Sequence, residues 1–205
     1  MDPTTPRLLG RHAKAAVGDS LADARTVARI LKVNHAGEHG AIRIYRSQIA
    51  IARWRYPDIV HELEEMLGHE VNHRARFAEA MPSRHAKPCR MLILWSIGGR
   101  LLGMGTALLG RNAIWACTAA VEEAVHRHLN DQLAFLSCRD QELYILIASI
   151  KSEELSHLHH AEERLTSRGP ILHILRRSID VVTEGLIFLS TSGDSLRMSR
   201  DLLAK

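Results

Sequence analysis

Apolar residues recur at helical spacing along most of this chain, and no stretch alternates in the way a half-buried strand would. Ala22, Val27, Ile30, Leu31, Ile42 and Ile49 form one such series, so a first helix is expected from a cap at Asp19 or Ser20 to about Tyr56, where Pro57 and Asp58 break it. Val60, Leu63, Leu67, Phe77 and Ala80 predict a second helix from near Asp58 to Met81-Pro82. Asn112 can cap a helix to about Leu136, Asp140 one to about Ser167, and Gly169-Pro170 opens a last one through about Ser190. Residues 1–18 read as a flexible lead and 19–205 as one all-α domain.

The pattern changes character after the polar connection at 83–90. From Met91 to Gly110 only Arg100 is charged, which is barely long enough to span a bilayer. Five glycines and the arginine argue against a simple transmembrane helix and favour a pair of short helices, buried or lying on a membrane. Gly99 and Gly103 form G-x-x-x-G, a spacing that permits close helix contact. This segment, 91–110, is expected to be a membrane-facing insertion between two helical hairpins, giving a four-helix bundle with a long crossover and two added apolar segments.

Composition narrows the function classes. With 205 residues and 46% hydrophobic content, the chain can build one sizeable core. Three scattered cysteines, Cys89, Cys117 and Cys138, supply neither a disulfide framework nor a C-x-x-C pair. The first twenty residues lack the apolar run of a secretory signal. Net charge +4 and pI 9.2 are mildly basic, but the basic residues are dispersed among acids and aromatics make up only 4%, so nucleic acid is not expected as a partner. The mild positive charge suits an anionic membrane face.

The chemistry lies in a repeat. Glu38, Glu70 and His73 recur as Glu122, Glu154 and His157, each 84 positions later. In both copies a lone glutamate precedes an E-x-x-H whose members, three apart, share a helix face. One glutamate from each of two helices plus Glu-x-x-His from two others is the ligand set of di-iron and di-manganese carboxylate bundles. Oxygen donors with two imidazoles and no thiolate favour iron or manganese over structural zinc. A further E-x-x-H at Glu123 and His126 has no partner, because the position 32 residues earlier is Met91. His69-Glu70-x-x-His73 is also a literal H-E-x-x-H, the zinc metallopeptidase signature. That alternative leaves the second triplet unexplained and meets Glu153, not histidine, at the repeat position of His69. Tyr45, two turns from Glu38, could approach the centre or simply fill the core.

Longer motifs carry a family resemblance across residues 28–190. They include Asn34-His35-Ala36-Gly37-Glu38, Arg43-Ile44-Tyr45, Glu70-Val71-Asn72-His73 and Leu94-Trp95, then Gly105-Thr106-Ala107-Leu108-Leu109-Gly110, Ala120-Val121-Glu122-Glu123 and Glu153-Glu154-Leu155-Ser156-His157. In these the chain resembles the demethoxyubiquinone hydroxylases, di-iron monooxygenases of ubiquinone biosynthesis with a ferritin-like fold. The resemblance implies two iron ions held by Glu38, Glu70, His73, Glu122, Glu154 and His157, with Glu70 and Glu154 as bridges and Glu38 and Glu122 as terminal ligands. It further implies O₂-dependent ring hydroxylation of a polyprenyl quinol, with electrons from an external donor such as NADH or from the quinol itself.

Attachment to membrane lipid follows too, as a peripheral protein on the cytoplasmic face of a bacterial inner membrane or the matrix face of the mitochondrial one. A homo-oligomer and a lipid-binding accessory protein are implied partners. His128 matches a histidine that the family often carries near the site, and with Tyr45 it is a candidate to support the ligands. Asn72, Ser156 and Leu129 depart from the family, whose members often have acids before the ligand histidines and a tyrosine after the residue matched by His128. The same bundle could instead serve a ferritin-like or rubrerythrin-like protein that handles iron or peroxide, or a non-enzymatic membrane adaptor.

Overall fold

The computed structural model describes residues 5–166 and 169–190, with side chains from Leu21 onward except at 171, 189 and 190, and among them there are six α-helices and no strand. They are α1 (Thr5–Arg55), α2 (Val60–Ala80), α3 (Leu92–Leu109), α4 (Arg111–Leu136), α5 (Gln141–Arg164) and α6 (Pro170–Ser190). Helices α1 and α2 form one hairpin and α4 and α5 the other; together they make the all-α, ferritin-like bundle expected from the pattern. Helix α3 crosses between the hairpins and lies along α1, as α6 lies along α4. The repeat therefore covers three helices in each half.

Several boundaries differ from expectation for local reasons. Helix α1 passes through Asp19 and Ser20 without a break, because the Ala-, Arg- and Leu-containing stretch before them continues the helix and leaves no free amides to cap. Helix α4 starts at Arg111 behind Gly110, whose φ of 123° turns the chain between α3 and α4. Asn112 instead accepts hydrogen bonds from the backbone N and Oγ1 of Thr166, at 3.2 and 2.9 Å. The Asp140 cap holds, with its side chain accepting from the Leu143 amide at 3.0 Å. Helix α5 ends at Arg164, and the end expected at Ser167 falls outside the described residues.

The apolar segment is one continuous helix rather than two short ones. None of its glycines breaks it, and two of them, Gly99 and Gly103, serve close packing. A Cβ on Gly99 would lie 2.6 Å from the Gly40 carbonyl oxygen, and one on Gly103 would lie 2.3 Å from that of Ile44. The G-x-x-x-G face thus lets the backbones of α1 and α3 approach as side chains would forbid. The opposite face shows Ile93, Ile97, Leu101, Met104 and Leu108 to solvent, with Ile93 and Leu101 68% and 66% exposed.

Two apolar clusters fill the bundle. One gathers Ile30, Leu31, Phe77, Leu129, Leu136, Leu143, Ile147 and Ile150; the other gathers Tyr45, Ile49, Leu63, Met66, Ile114, Trp115, Ala119 and Ala161. On each of the four helices a polar interval separates them, between Leu31 and Ala41, Met66 and Phe77, Ala119 and Leu129, and Ile150 and Ala161. All six repeated acids and histidines fall in those intervals.

Candidate metal centre

Glu38 comes from α1, Glu70 and His73 from α2, Glu122 from α4, and Glu154 and His157 from α5, and every one is buried. Glu38, Glu70, His73 and Glu154 form a set whose ligand atoms all lie within 4.8 Å of one another, and Glu70, Glu122, Glu154 and His157 form a second. The sets share Glu70 and Glu154. Each set has one carboxylate of its own and one imidazole of its own, the inventory for two ions bridged by two carboxylates.

Each imidazole turns Nδ1 toward the shared carboxylates. In His157 this nitrogen lies 3.1 Å from Glu154 Oε2, 3.5 Å from Glu70 Oε1 and 3.7 Å from Glu122 Oε1. In His73 it lies 3.0 Å from Glu154 Oε1 but is not aligned as a hydrogen bond, and Glu70 Oε1 also lacks a partner. Buried donors aimed at a common point without partners are what a bound cation would satisfy.

The electrostatics say the same. Burial, with Glu70 and Glu154 alongside, holds the Glu38 carboxyl well above the usual range, and burial with Glu154 does so for Glu122. Burial also opposes ionisation of Glu154, yet the hydrogen bond with His157 and the close approach of the His73 imidazole outweigh it and bring that carboxyl down to about 2. Burial opposes charge on His157, but the surrounding carboxylates of Glu122, Glu154 and Glu70 push it up to about 12. Four close buried carboxylates thus draw protons toward Glu38, Glu122 and the imidazoles and call for positive charge, and the residues fit a pair of divalent ions.

The outer ring nitrogens have partners that sequence reasoning missed. His73 Nε2 lies 3.0 Å from Glu153 Oε2, and Glu153 is itself held by Arg76 at 3.3 Å. His157 Nε2 lies 2.8 Å from His69 Nδ1, with the two rings stacked at 5.1 Å and 6°. Residues 69 and 153 are repeat counterparts, so each half supports the histidine of the other, once with a carboxylate and once with an imidazole. The same 84-residue offset could have found both. His69 belongs to neither metal set, and its ring is committed to His157, which leaves the H-E-x-x-H reading without its first ligand.

Tyr45 is fully enclosed in the second apolar cluster and donates from its hydroxyl to Glu122 Oε1 at 3.3 Å. His128 belongs to neither set. It lies on the wall of an adjoining cavity with Nε2 3.1 Å from Glu184 Oε1 on α6.

That cavity, about 90 Å³, runs from Glu38, Glu70, Glu122 and Glu154 outward between α1, α3, α4 and α6. Its walls are almost wholly apolar, with Ala41, Ile44, Trp95, Leu102, Val121, Leu186 and Ile187 among them, while Gly37, Gly40, Gly98 and Gly99 leave it open. A site with ligands for two ions at its floor and a greasy channel above is suited to oxidising an apolar molecule.

Residues 25–190 match the family described as Ubiquinone biosynthesis protein COQ7. The chain belongs to the COQ7 family. It is 36% identical over 168 residues to the mouse "NADPH-dependent 3-demethoxyubiquinone 3-hydroxylase, mitochondrial", covering 80% of this chain and 76% of that one. It is also 36% identical over 167 residues to the "3-demethoxyubiquinol 3-hydroxylase" of Rhodospirillum rubrum, covering 82% and 78%. The human relative, named as the mouse one is, stands at 35% over 168 residues. The matched span takes in all six candidate ligands of this COQ7 family member.

Proposed function

We propose that this chain is a di-iron monooxygenase of ubiquinone biosynthesis that hydroxylates the ring of a polyprenylated demethoxyubiquinol with O₂. The observation that carries the reading is a pair of four-residue sets sharing Glu70 and Glu154 at the floor of an apolar cavity. Glu70 and Glu154 would bridge two irons, with Glu38 and His73 completing one position and Glu122 and His157 the other. Bound there, iron supplies the redox chemistry that activates O₂. Two electrons beyond those of O₂ insertion must be delivered, and the relatives' names support a reduced nicotinamide dinucleotide as donor.

The remaining work belongs to the protein. The apolar clusters on either side of the polar interval keep water from the centre. Tyr45 fixes the orientation of Glu122 through its hydrogen bond. The cavity aligns the quinol ring over the carboxylates, and the prenyl tail leaves between α3 and α6. Exposed Ile93, Ile97 and Leu101 on α3, with Ile174, Val181 and Val182 on α6, flank that exit and would rest on the membrane that holds the substrate. This makes the protein peripheral to an energy-conserving membrane.

Metal analysis paired with product analysis on a demethoxyquinol tests the reading. Wild type should hold two irons per chain and release hydroxylated quinol. Glu154→Ala should lose both metals and all product, because it removes a ligand common to the two positions. Hydroxylation retained in this variant would break the ligand assignment, whereas two irons without product in wild type would favour iron storage or peroxide scavenging.

A further inference from the structure

Many arginines of this bundle are paired with acids, and one cluster is not. Arg53, Arg84, Arg111, Arg127 and Arg139 each meet a carboxylate. Arg43, Arg46 and Arg100, with Arg74 behind them on α2, meet none among the described residues. The Nε atoms of Arg43 and Arg74 are buried without a hydrogen-bond partner. The lack of acids is written into the sequence, since neither 39–57 nor 81–121 contains an aspartate or glutamate.

Close packing brings these like charges together. The approach of α3 to α1 through Gly99 and Gly103 is so tight that a Cβ on Gly99 would also lie 2.9 Å from Arg43 Cβ. Arg100, the next residue, is thereby held beside Arg43 and Arg46. Burial together with Arg100, Arg46 and Arg74 lowers the pKa of Arg43. Between the helices lies a pocket of about 390 Å³ lined by Arg43, Arg46, Ser47, Arg100 and Met104 among others. Met104 also belongs to the exposed apolar stripe of α3, so the pocket opens at the edge of that stripe.

We propose that Arg43, Arg46 and Arg100 form a phosphate-binding site in the α1–α3 groove that takes the headgroup phosphate of an anionic membrane phospholipid. Guanidinium groups match phosphate oxygens in paired hydrogen bonds, and Ser47 adds a hydroxyl donor. The neighbouring stripe of α3 receives the acyl chains, which a free phosphate would not use. The site rests on the membrane docking proposed above and gives that docking a lipid preference and a fixed orientation, with the cavity exit facing the bilayer.

The test uses the full chain loaded with metal, in flotation with vesicles of phosphatidylcholine alone or mixed with phosphatidylglycerol. Three arginines at the surface correspond to a preference for the anionic vesicles on the order of a hundredfold, weakening as salt is raised. The triple variant Arg43→Gln, Arg46→Gln, Arg100→Gln should lose this preference while retaining its metals and its binding to phosphatidylcholine. Arg53→Gln with Arg55→Gln, which removes two of the same kind of charge on the same helix but outside the pocket, should keep most of it. Arg100→Gln alone changes an exposed side chain, so partial loss is expected there without any risk to folding.

A triple variant that still prefers anionic vesicles, or a control pair that loses as much, overturns the site. Calorimetry with a soluble short-chain phosphatidylglycerol and with inorganic phosphate separates the sources. Wild type should bind the lipid and the triple variant should not; inorganic phosphate binding as tightly as the lipid overturns the lipid assignment. Short-chain lipid bound by a wild type that ignores all vesicles supports the pocket and overturns the docking face.

Discussion

Glu153 and His69 hold equivalent places behind His73 and His157 but differ in charge. A carboxylate behind an imidazole makes it a stronger donor, and a neutral ring does so much less. The two metal positions should therefore be unequal, the one using His73 binding more tightly. Glu153→Gln should weaken that position 10- to 100-fold, by the usual effect of removing such a partner, and leave the other nearly unchanged. Titrating the metal-free protein with cobalt(II) and following its visible bands reads the two positions without reference to turnover; equal weakening of both would show that Glu153 acts on the fold and not on His73. The six central residues were legible because acids and histidines recurring at one offset within apolar helices have few structural uses. Their supports were not, because the offset pairs His69 with an unlike Glu153, and spacing along the chain does not say which helix faces which. His128 shows the converse, since it is near the cavity but turned to Glu184.

At the scale of single helices, the contact of α3 with α1 rests on the absence of two side chains. Gly103→Ala should destabilise the protein by about 1–3 kcal/mol, the usual cost of overpacking, because the added methyl meets backbone at Ile44. Gly105→Ala, two residues on and with nothing within 4 Å of the new Cβ, should stabilise it by up to about 1 kcal/mol through helix propensity. Thermal unfolding compares the two, and similar shifts would contradict the packing described for α3. The start of α5 offers a pH test. Hydrogen bonds from Arg84, against the opposing effect of burial, hold the Asp140 carboxyl below its ordinary range, helped by the Leu143 amide. A depressed folded-state pKa means that the stabilisation is complete above the unfolded aspartate value, about 3.9, and disappears as pH falls through the folded value. Asp140→Asn keeps the cap but removes the charge facing Arg84, so it should cost up to about 1 kcal/mol at neutral pH and converge on wild type only as the pH falls through the depressed folded value. The Asp140 cap could be read from sequence because the helix before it ends; Asp19-Ser20 looked similar but lies where helix-forming residues run on without a break. For α3, the five glycines of 91–110 suggested interruption, and only the α1 backbone opposite Gly99 and Gly103 shows that these two serve contact.

For the whole molecule, the repeat of three helices places α3 and α6 on either side of one opening, so the two apolar helices that seemed additions to the bundle form the walls of its cavity. On the proposed function, substrate access and metal binding would be separable, because no residue of the apolar lining above the carboxylates belongs to either candidate ligand set. Gly37 lies on that lining beside Glu38, and a Cβ there would meet nothing within 4 Å. Gly37→Leu should fill much of the cavity, leaving the two-metal stoichiometry and the cobalt spectrum of the wild type while quinol hydroxylation falls at least tenfold, about the discrimination that one or two methylene-sized changes produce in an apolar pocket. Gly68, on α2 and equally free of neighbours around a new Cβ, is absent from the cavity wall, so Gly68→Leu is the matched control and should retain activity. Loss of metal together with turnover in Gly37→Leu would show that the lining and the ligands are mechanically one unit. Unchanged turnover on a long-tailed quinol would show instead that the ring reaches the carboxylates by a route other than the opening between α3 and α6.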